Sequence, residues 1–381
     1  TAEGGKVRNQ AETLAAQAKQ EALVQRFAIW AFEDVRRSDQ IVAAYEEHVN
    51  VVVPPHHDGS HLRFPGLNAA FRPRPYQKDS AWRMLTGGDT LLDHAVGAGK
   101  TASMAMAGME MRRRGLARKP MYVVPNHLLE QFAVEVQRLY PAGRFLVGNE
   151  DVGGVEGRRR FAERCAGEDW DGVIVTHSLF GLIPLSAPAQ VDLRIEDRED
   201  LLRDPPHSDA VLERARTGIE AEIIRLRDEL DTDPARFDRL GVDALFVDEA
   251  QAFKSLRFHT RMKGVAPRGS KRADDLNDKV IWLRRAVHAE QAASARAVVV
   301  FASGTPITNT LAEVYTLQRF LRPERLRQSG LRHFDAWAST FGEVVTAIEV
   351  SPDGSSFRLA ERFARFVNVP ELVAMYRELA D

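Results

Sequence analysis

The sequence predicts an α/β protein in which a parallel β-sheet is flanked by helices. Five short runs are apolar throughout and end in polar or glycine-bearing turns, as buried parallel strands do. Longer helical runs separate them, as crossover connections require. With 381 residues, of which 44% are hydrophobic, the chain can fill a large core. The predicted strands are DTLLDHAV, PMYVVP, DGVIVTH, DALFVDEA and AVVVFASGT.

The composition excludes several classes of protein. The formal net charge is −2, so any contact with nucleic acid must be a local patch. Cys165 is the only cysteine, which excludes a disulfide framework and a cysteine-based zinc site. No apolar run approaches the roughly 18 residues of a membrane helix, and the N-terminus has no signal-peptide core. We therefore expect a cytoplasmic protein.

Three regions follow one another along the chain. Residues 1–66 form a predicted helical extension, with apolar residues at helical spacing before a Pro-Pro loop. Residues 67–325 carry the alternating strands and helices. Residues 326–381 are expected to form a helix, a hairpin around a Pro-Asp-Gly turn and a last helix.

Residues 187–240 interrupt the alternation. They are acidic and arginine-rich, and AVLERARTGIEAEIIRLRDEL carries apolar residues three and four positions apart. This spacing predicts a helical hairpin or a coiled-coil-like insertion. Two roles remain open for it: a solvated linker, or an arm that binds a partner.

HAVGAGKT, at residues 94–101, has the pattern of a phosphate-binding loop. It follows a predicted strand and opens a helical run, which is the context that such a loop needs. Glycines allow backbone N–H groups to face phosphate oxygens, and the helix N-terminus adds positive potential. Lys100 would reach the β- and γ-phosphates of ATP, and Thr101 would hold Mg²⁺. His94 stands where the common pattern has its first glycine.

A second predicted strand, ALFVD, ends in Asp248 and is followed by Glu249. At such a strand end Asp248 would bind the Mg²⁺, and Glu249 would orient or deprotonate the attacking water. An acidic pair can also simply cap the helix that follows. The phosphate loop favours the catalytic interpretation.

A third predicted strand ends in SGTPITN, which contains Ser303 and Thr305. GAGKT, DEAQ and SGTPITN, each at a strand end and in this order, resemble the motifs of the first RecA-like lobe of superfamily 2 helicases and translocases. FRPRPYQKDSAW is similar to the adenine-reading motif of the Swi/Snf-like branch, VVPNHLLEQFAVEV to its DNA-contact motif, and DEAQAFKS to its acidic box. The resemblance implies a RecA-like P-loop NTPase lobe with a helical N-terminal extension and a helical insertion.

Within that branch the chain resembles bacterial and phage helicases of the antirestriction type, which are joined to an adenine-specific DNA methyltransferase. This implies a role in phage or mobile-element DNA modification, antirestriction or defence, in a bacterial or phage-infected cell. The segments that carry the resemblance are DGSHLRFPGLN, SGTPITNTLAEVYTLQRFLRP, HFDAWASTFGE and RFARFVNVPELVAMYRELAD.

The resemblance also implies roles for individual residues, with ATP and Mg²⁺ as cofactors and DNA as partner. Adenine would be read by Gln77, with Arg74 and Tyr76 beside it. Phosphate would be cradled by Gly97, Ala98, Gly99, Lys100 and Thr101. Hydrolysis would be carried by Lys100, Asp248 and Glu249, with Thr101 and Asp248 on the Mg²⁺. The ATP state would be coupled to DNA binding by Gln251, Ser303 and Thr305. The sequence-independent DNA path would include Asn126, His127, Thr176, His177, Ser178 and Lys254. For Arg74 and the DNA path, ordinary surface polarity is the alternative.

Two positions depart from the family pattern, and one part of the pattern is missing. His94 lies at a position where such helicases vary. Gln251 replaces the usual histidine with a side chain that also donates and accepts hydrogen bonds. We find no second RecA-like lobe with an arginine finger, and the chain opens at Thr1 and not at methionine. We therefore expect a piece of a longer polypeptide, in which residues 326–381 lead toward a second lobe and a methyltransferase domain is a further expected partner.

Two weaker signals have competing interpretations. The histidine-rich stretch around Asp58 could be a metal cluster, but no cysteine completes it, so a solvated turn is favoured. The run Arg158, Arg159 and Arg160 could touch phosphate or could be a solvated helix start.

The sequence thus predicts the motor lobe of an ATP-dependent DNA translocase or helicase, which needs a second lobe for full activity. The alternative is a nucleotide-gated DNA-binding or scaffold module without useful hydrolysis on its own. In that case residues 187–240 would be its partner arm.

Overall fold

The computed structural model describes residues 10–48, 56–149, 154–203, 209–229, 231–258, 260, 269–290, 295–308, 312–350 and 357–381. Its internal contacts divide the chain into two units, Thr1–Pro54 and Pro55–Asp381.

Within the first unit, the described residues form α1 (Gln10–Glu33) and α2 (Val35–His48). Arg37 stabilises the junction between them. Its guanidinium lies 3.9 Å from the centre of the Trp30 ring and donates to the Trp30 carbonyl. Its backbone N–H donates to Asp34 Oδ1 over 2.9 Å. The predicted helical extension is confirmed for these residues.

The second unit is built on a six-stranded parallel sheet with strand order β1-β6-β5-β2-β4-β3. Five of the strands are those predicted from the sequence. The edge strand β3 was not predicted, because its four residues end in a glycine and contain no long apolar run. The strands are β1 (Thr90–Asp93), β2 (Pro120–Val124), β3 (Phe145–Gly148), β4 (Gly172–Thr176), β5 (Ala244–Asp248) and β6 (Val299–Ser303).

Helices cover both faces of this sheet. Alternate residues of each strand enter opposite cores, so Met121 and Val123 pack on one face while Tyr122 and Val124 pack on the other. Buried on both faces, the strands are apolar throughout, as predicted. The helices are α3 (Pro75–Thr86), α4 (Lys100–Arg113), α5 (Leu129–Leu139), α6 (Gly154–Gly167), α7 (His177–Gly181), α8 (Ala187–Arg203), α9 (Asp209–Arg227), α10 (Lys271–Glu290), α11 (Ala312–Leu321), α12 (Pro323–Gln328), α13 (Phe334–Phe341) and α14 (Val369–Leu379).

Residues 56–66, grouped with the extension by sequence, pack on the second unit. Leu62 is buried in the core beside α3, and the Gly59 N–H donates to Asp79 Oδ1 over 2.8 Å. The predicted domain boundaries stay predictions.

The insertion consists of helices, as predicted, namely α8 and α9. Arg194 of α8 joins three helices: it pairs with Asp278 of α10, and it lies 3.4 Å from Glu222 of α9. The insertion is therefore fastened to the α/β unit through a half-buried arginine.

The C-terminal region has the predicted sequence of helix, hairpin and helix. After α13, the strands β7 (Gly342–Val350) and β8 (Phe357–Phe366) pair antiparallel, and α14 follows. The predicted Pro-Asp-Gly turn lies outside the described residues. Beyond α14 the chain returns to the sheet, where Ala380 pairs in parallel with Leu91 of β1.

In the described part of the chain, no helix is both long enough and apolar enough to cross a membrane.

Candidate nucleotide-binding site

The phosphate loop connects β1 to α4. Gly97 and Gly99 both have φ of +83°, a left-handed conformation that glycine adopts without steric cost. Lys100 lies in the first turn of α4, and its Nζ donates to the carbonyls of His94 (2.9 Å) and Ala95 (3.4 Å). The loop tip is open to solvent, and Val96 is 86% exposed. The N-terminus of a 14-residue helix behind a glycine loop is suited to binding an anion.

The predicted adenine motif packs directly on this loop. Gln77 is buried; its Oε1 accepts from the Arg74 N–H (2.9 Å), and its Nε2 lies 3.4 Å from the Gly99 carbonyl. The Tyr76 hydroxyl donates to the Ala98 carbonyl over 2.6 Å, and Arg74 donates to the same hydroxyl. The structure therefore brings all three predicted residues of α3 and its cap to the phosphate loop.

The acidic strand end lies at the same edge of the sheet. Burial, and to a lesser extent the neighbouring Glu249 carboxylate, raise the pKa of Asp248 to about 6, even though the Glu249 N–H and Lys100 favour its ionised form. A carboxylate whose ionised form is disfavoured in this way gains from binding a cation. Asp248, with Thr101 in the first turn of α4, therefore fits the predicted Mg²⁺ ligands.

Glu249 has an unusual backbone. Its φ and ψ are both 50°, in the left-handed region that costs a non-glycine residue about 1 kcal/mol or more. Strain of this kind persists where the surroundings hold the residue in place, and here the Gln251 side chain bonds its carboxylate.

A hydrogen-bond chain joins β5 to β6. Gln251 donates from its Nε2 to the Glu249 carboxylate and accepts at Oε1 from the Ser303 hydroxyl (2.7 Å). The Ser303 Oγ in turn accepts from the Thr305 N–H (3.0 Å). The predicted catalytic glutamate and the three predicted coupling residues thus form one continuous network.

The end of β6 also lies close to the phosphate loop. A Cβ on Gly304 would be 3.0 Å from the Val96 side chain and 3.6 Å from Lys100 Nζ. The three strand-end motifs, which are far apart in sequence, therefore converge within a few ångströms.

Three of the predicted DNA-path residues form a surface group at the ends of β2 and β4. Asn126 Nδ2 donates to Ser178 Oγ over 2.7 Å, and the Ser178 N–H donates back to Asn126 Oδ1 over 3.3 Å. Asn126 and the adjacent His127 are exposed. This group is available to a ligand that passes over the sheet edge.

Two other predicted DNA-path residues lie below the surface. Thr176 is 1% exposed, and its hydroxyl caps α7 by accepting from the Leu179 N–H. His177 is buried against Phe253, and its Nε2 donates to the Asp248 carbonyl over 2.9 Å. Burial lowers the pKa of His177 to about 4, so the ring is neutral at physiological pH. His177 therefore supports the acidic strand end, whereas Thr176 holds the start of α7.

Lys254, the sixth predicted DNA-path residue, joins the acidic motif to α11. Its Nζ lies 3.0 Å from the buried Glu313 carboxylate and hydrogen-bonds the Thr308 hydroxyl. Any contact with DNA would compete with this ion pair.

The weaker sequence signals lead to no additional site. Among the described residues, no group of three or more His, Cys, Asp or Glu side chains could hold a metal ion. His61 instead packs edge-on against Trp82, with 4.5 Å between the ring centres. Arg159 of the arginine run lies 3.5 Å from Asp233.

His94 has a partner that no sequence pattern indicates. Its Nε2 lies 2.9 Å from Asp381 Oδ2, and its ring lies edge-on to Tyr76. The only signal in the sequence was the unusual residue at this loop position. The partner lies 287 positions away, and no periodicity connects the two.

Comparison with known proteins places this site in a family. A family model described as a probable helicase domain matches residues 82–381. The chain belongs to this family of probable helicase domains. The helicase resemblance drawn from the strand-end motifs is thereby confirmed, together with the predicted parallel sheet flanked by helices. A second family model, a domain of unknown function, matches residues 1–51.

One individual relative matches a smaller part of this chain. "Defense against restriction protein B" of Escherichia phage P1 is 30% identical over 101 residues, which are 26% of this chain and 4% of that protein. This match agrees with the narrower resemblance to antirestriction-type proteins, although it spans only that small part of the relative's length.

Two solved structures from Sulfolobus are also similar. The SWI2/SNF2 ATPase core of Sulfolobus solfataricus in complex with double-stranded DNA is 19% identical, with a TM-score of 0.40 over 74% of this chain and 40% of that one. A hypothetical ATP-dependent RNA helicase from Sulfolobus tokodaii is 13% identical, with a TM-score of 0.33 over 66% of this chain and 51% of that one.

Proposed function

We propose that this chain is the first RecA-like lobe of an ATP-dependent DNA translocase or helicase. The observation that carries the proposal is the convergence of three motifs at one sheet edge. The phosphate loop, the buried Asp248 with Glu249, and the Gln251–Ser303 hydrogen bond adjoin one another there. A nucleotide-driven motor must bind phosphate, activate a water molecule and transmit the state of its nucleotide to a neighbouring strand.

The nucleotide would bind through groups already held in place. Lys100 and the loop N–H groups would bind the phosphates, and α3 would offer the adenine a site beside Gln77. Bound at Thr101 and Asp248, Mg²⁺ would neutralise phosphate charge. Glu249 would orient a water and accept its proton as the water attacks the γ-phosphorus. The bond to the β-phosphate oxygen then breaks, which yields ADP and phosphate.

DNA would lie across the ends of β2 and β4. Asn126, His127 and Ser178 are polar groups that can bond phosphate oxygens without reading bases. Because the chain as a whole is close to neutral, binding would depend on this local surface and would weaken as salt rises.

A second RecA-like lobe would complete the site. The exposed tip of the phosphate loop supports this, because a nucleotide held there would be open to solvent on one side. A covering lobe would exclude bulk water, leave the attacking water beside Glu249 and supply a cation to the transition state. The similarity to the phage P1 protein supports a role in antirestriction or in defence, and attachment to an adenine-specific methyltransferase belongs to the same proposal.

The experiment is an ATPase assay with and without duplex DNA, on this chain and on the same chain joined to a second RecA-like lobe. Lys100→Ala should abolish binding of a fluorescent ATP analogue, whereas Glu249→Gln should bind it and not turn over. Stimulation by DNA only in the longer protein supports the proposal. Nucleotide binding without stimulated turnover in either protein would favour the nucleotide-gated scaffold instead.

A further inference from the structure

The last turn of α14 and the two residues that follow it are anchored along β1. We call residues 376–381 the β1 strap. Its backbone pairs with β1 through the Asp381 N–H, which donates to the Leu91 carbonyl over 2.8 Å, and through the Asp93 N–H, which donates to the Asp381 carbonyl. The Tyr376 hydroxyl donates to Asp93 Oδ2 over 2.9 Å, and the Leu379 side chain is fully buried.

Two arginines hold the strap by hydrogen bonds to its backbone. Arg83 of α3 and Arg322, which precedes α12, both donate to the Glu378 carbonyl, over 2.9 and 2.8 Å. Arg322 also donates to the Gly87 carbonyl in the loop before β1. The strap is therefore an ordered extension of the sheet edge. The side chains that hold it are far from it in sequence.

The Asp381 carboxylate is the point at which three parts of the site meet. Its Oδ2 accepts from His94 of the phosphate loop over 2.9 Å and from the Ser80 hydroxyl of α3. Tyr76, one turn before Ser80, contacts both the His94 ring and the Ala98 carbonyl. The adenine motif, the phosphate loop and the strap therefore share one carboxylate.

This carboxylate is ionised at neutral pH. Burial alone would raise the pKa of Asp381, but hydrogen bonds from His94 and Ser80 and the charge of Arg83 together hold it below its ordinary value. A buried anion held by directed donors resists displacement, because leaving either donor unpaired costs about 1–3 kcal/mol.

The loop must change its bonds when phosphate arrives. Lys100 Nζ now donates to the carbonyls of His94 and Ala95. To reach a phosphate, the Lys100 ammonium must release both carbonyls. The His94 carbonyl then loses a hydrogen-bond partner, and His94 is the residue whose side chain holds the strap. Nucleotide binding and strap docking therefore act on the same residue.

We propose that His94 and Asp381 are a positioning pair that couples nucleotide binding at the phosphate loop to docking of the β1 strap. The inference rests on the proposed nucleotide-binding function. The docked strap holds the loop in its binding conformation through His94, and a bound nucleotide in turn stabilises the docked strap, because such coupling is reciprocal. If the pair only held α14 to the sheet, substituting either residue would lower the thermal stability and leave the nucleotide affinity unchanged.

The test measures the Kd of a fluorescent ADP analogue for the wild type, His94→Ala, Asp381→Ala, the double variant and His94→Gln, with thermal stability measured in parallel. We expect each alanine variant to bind about three- to tenfold more weakly, and the double variant no more weakly than either single one. His94→Gln, which can still donate to Asp381, should bind as the wild type does. Amide hydrogen exchange should show that ADP protects the N–H groups of Asp93 and Asp381 in the wild type and not in His94→Ala.

Unchanged affinities in the alanine variants, or losses that multiply in the double variant, would overturn the coupling. Lys100→Ala separates this failure from a failure of the proposed function. If the wild type and Lys100→Ala bind the analogue equally weakly, the nucleotide site itself is wrong and the coupling falls with it.

Discussion

Ser303 donates a hydrogen bond to Gln251 over 2.7 Å, and this bond joins the end of β6 to the acidic motif at the end of β5. Gln251 also bonds the Glu249 carboxylate, so a movement of either strand end reaches the glutamate that we propose as the catalytic base. We expect Gln251→Ala to keep nucleotide affinity within about twofold and to lower DNA-stimulated ATPase about tenfold or more, because the bond positions a catalytic group without binding nucleotide. Parallel titrations of nucleotide and of DNA in the ATPase assay measure both quantities, on the chain joined to a second RecA-like lobe.

Gln251→His is the matched control for this prediction. Histidine can also donate to a carboxylate and accept from a hydroxyl, so most of the stimulation should return. Ser303→Ala should resemble Gln251→Ala. A Gln251→Ala protein with the full DNA-stimulated rate would show that the network does not transmit the ATP state.

His127 and His177 belong to the same predicted DNA path, but they should respond to substitution in opposite ways. His177 is buried and donates to the Asp248 carbonyl, so His177→Ala loses a buried hydrogen bond and leaves a cavity. We expect a loss of about 2–4 kcal/mol in the free energy of unfolding, measured by urea denaturation.

His127 is exposed, and His127→Ala should change the free energy of unfolding by less than about 0.5 kcal/mol. It should weaken DNA binding at low salt and shift the salt dependence of the affinity. The reverse pattern, a destabilised His127→Ala with normal DNA affinity, would contradict the assignment of this surface.

The sheet was predictable where strand and turn chemistry are local. The runs around β1, β2, β4, β5 and β6 are apolar on both faces, and a buried parallel strand leaves that pattern in the sequence. The edge strand β3 was missed because four residues carry too little signal. It was also predictable that the three strand-end motifs would be neighbours, because the carboxyl ends of parallel strands lie at one edge of a sheet.

What could not be predicted depends on contacts between distant residues. The family resemblance placed His177 and Lys254 on the DNA path, with ordinary surface polarity as the alternative, and both interpretations put these side chains at the surface. The structure buries His177 beneath Asp248 and pairs Lys254 with Glu313. Burial of a polar residue is decided by which partner the fold supplies, and that partner is tens of residues away.

Asp248→Asn should stabilise the protein in the absence of nucleotide and Mg²⁺. The pKa of Asp248 is raised from 3.8 to about 6, so the folded state binds its proton more tightly than the unfolded state. Stability is therefore unaffected by this group below about pH 3.8, falls as pH rises toward 6, and stays reduced above it. At pH 7.5 the asparagine should add on the order of 2 kcal/mol to the free energy of unfolding.

The gain should shrink as the pH is lowered from 7.5 to 5, which urea denaturation at several pH values would measure. Asp228→Asn is the matched control: Asp228 is exposed just after α9, so this substitution should change the free energy of unfolding by less than about 0.5 kcal/mol. A gain of the same size for Asp248→Asn at pH 5 and pH 7.5 would show that burial of charge is not its cause.

Gly97→Ala and Gly99→Ala form a matched pair that tests the contact between the phosphate loop and Gln77. Both glycines have φ of +83°, so each substitution should lose about 1–2 kcal/mol of stability from backbone strain. The surroundings differ: no atom lies within 4 Å of a Cβ on Gly97, whereas a Cβ on Gly99 would be 2.5 Å from Gln77 Nε2. Only Gly99→Ala should therefore displace the predicted adenine-reading side chain.

The ratio of ATP to GTP affinity separates this displacement from general damage to the loop, because both nucleotides carry the same phosphates. Gly97→Ala should weaken both nucleotides alike and keep the wild-type ratio. Gly99→Ala should lower the ratio about as much as Gln77→Ala does, and combining the two substitutions should lower it no further, since they remove the same contact. An unchanged ratio in both Gly99→Ala and Gln77→Ala would mean that Gln77 fastens α3 to the loop without reading the base.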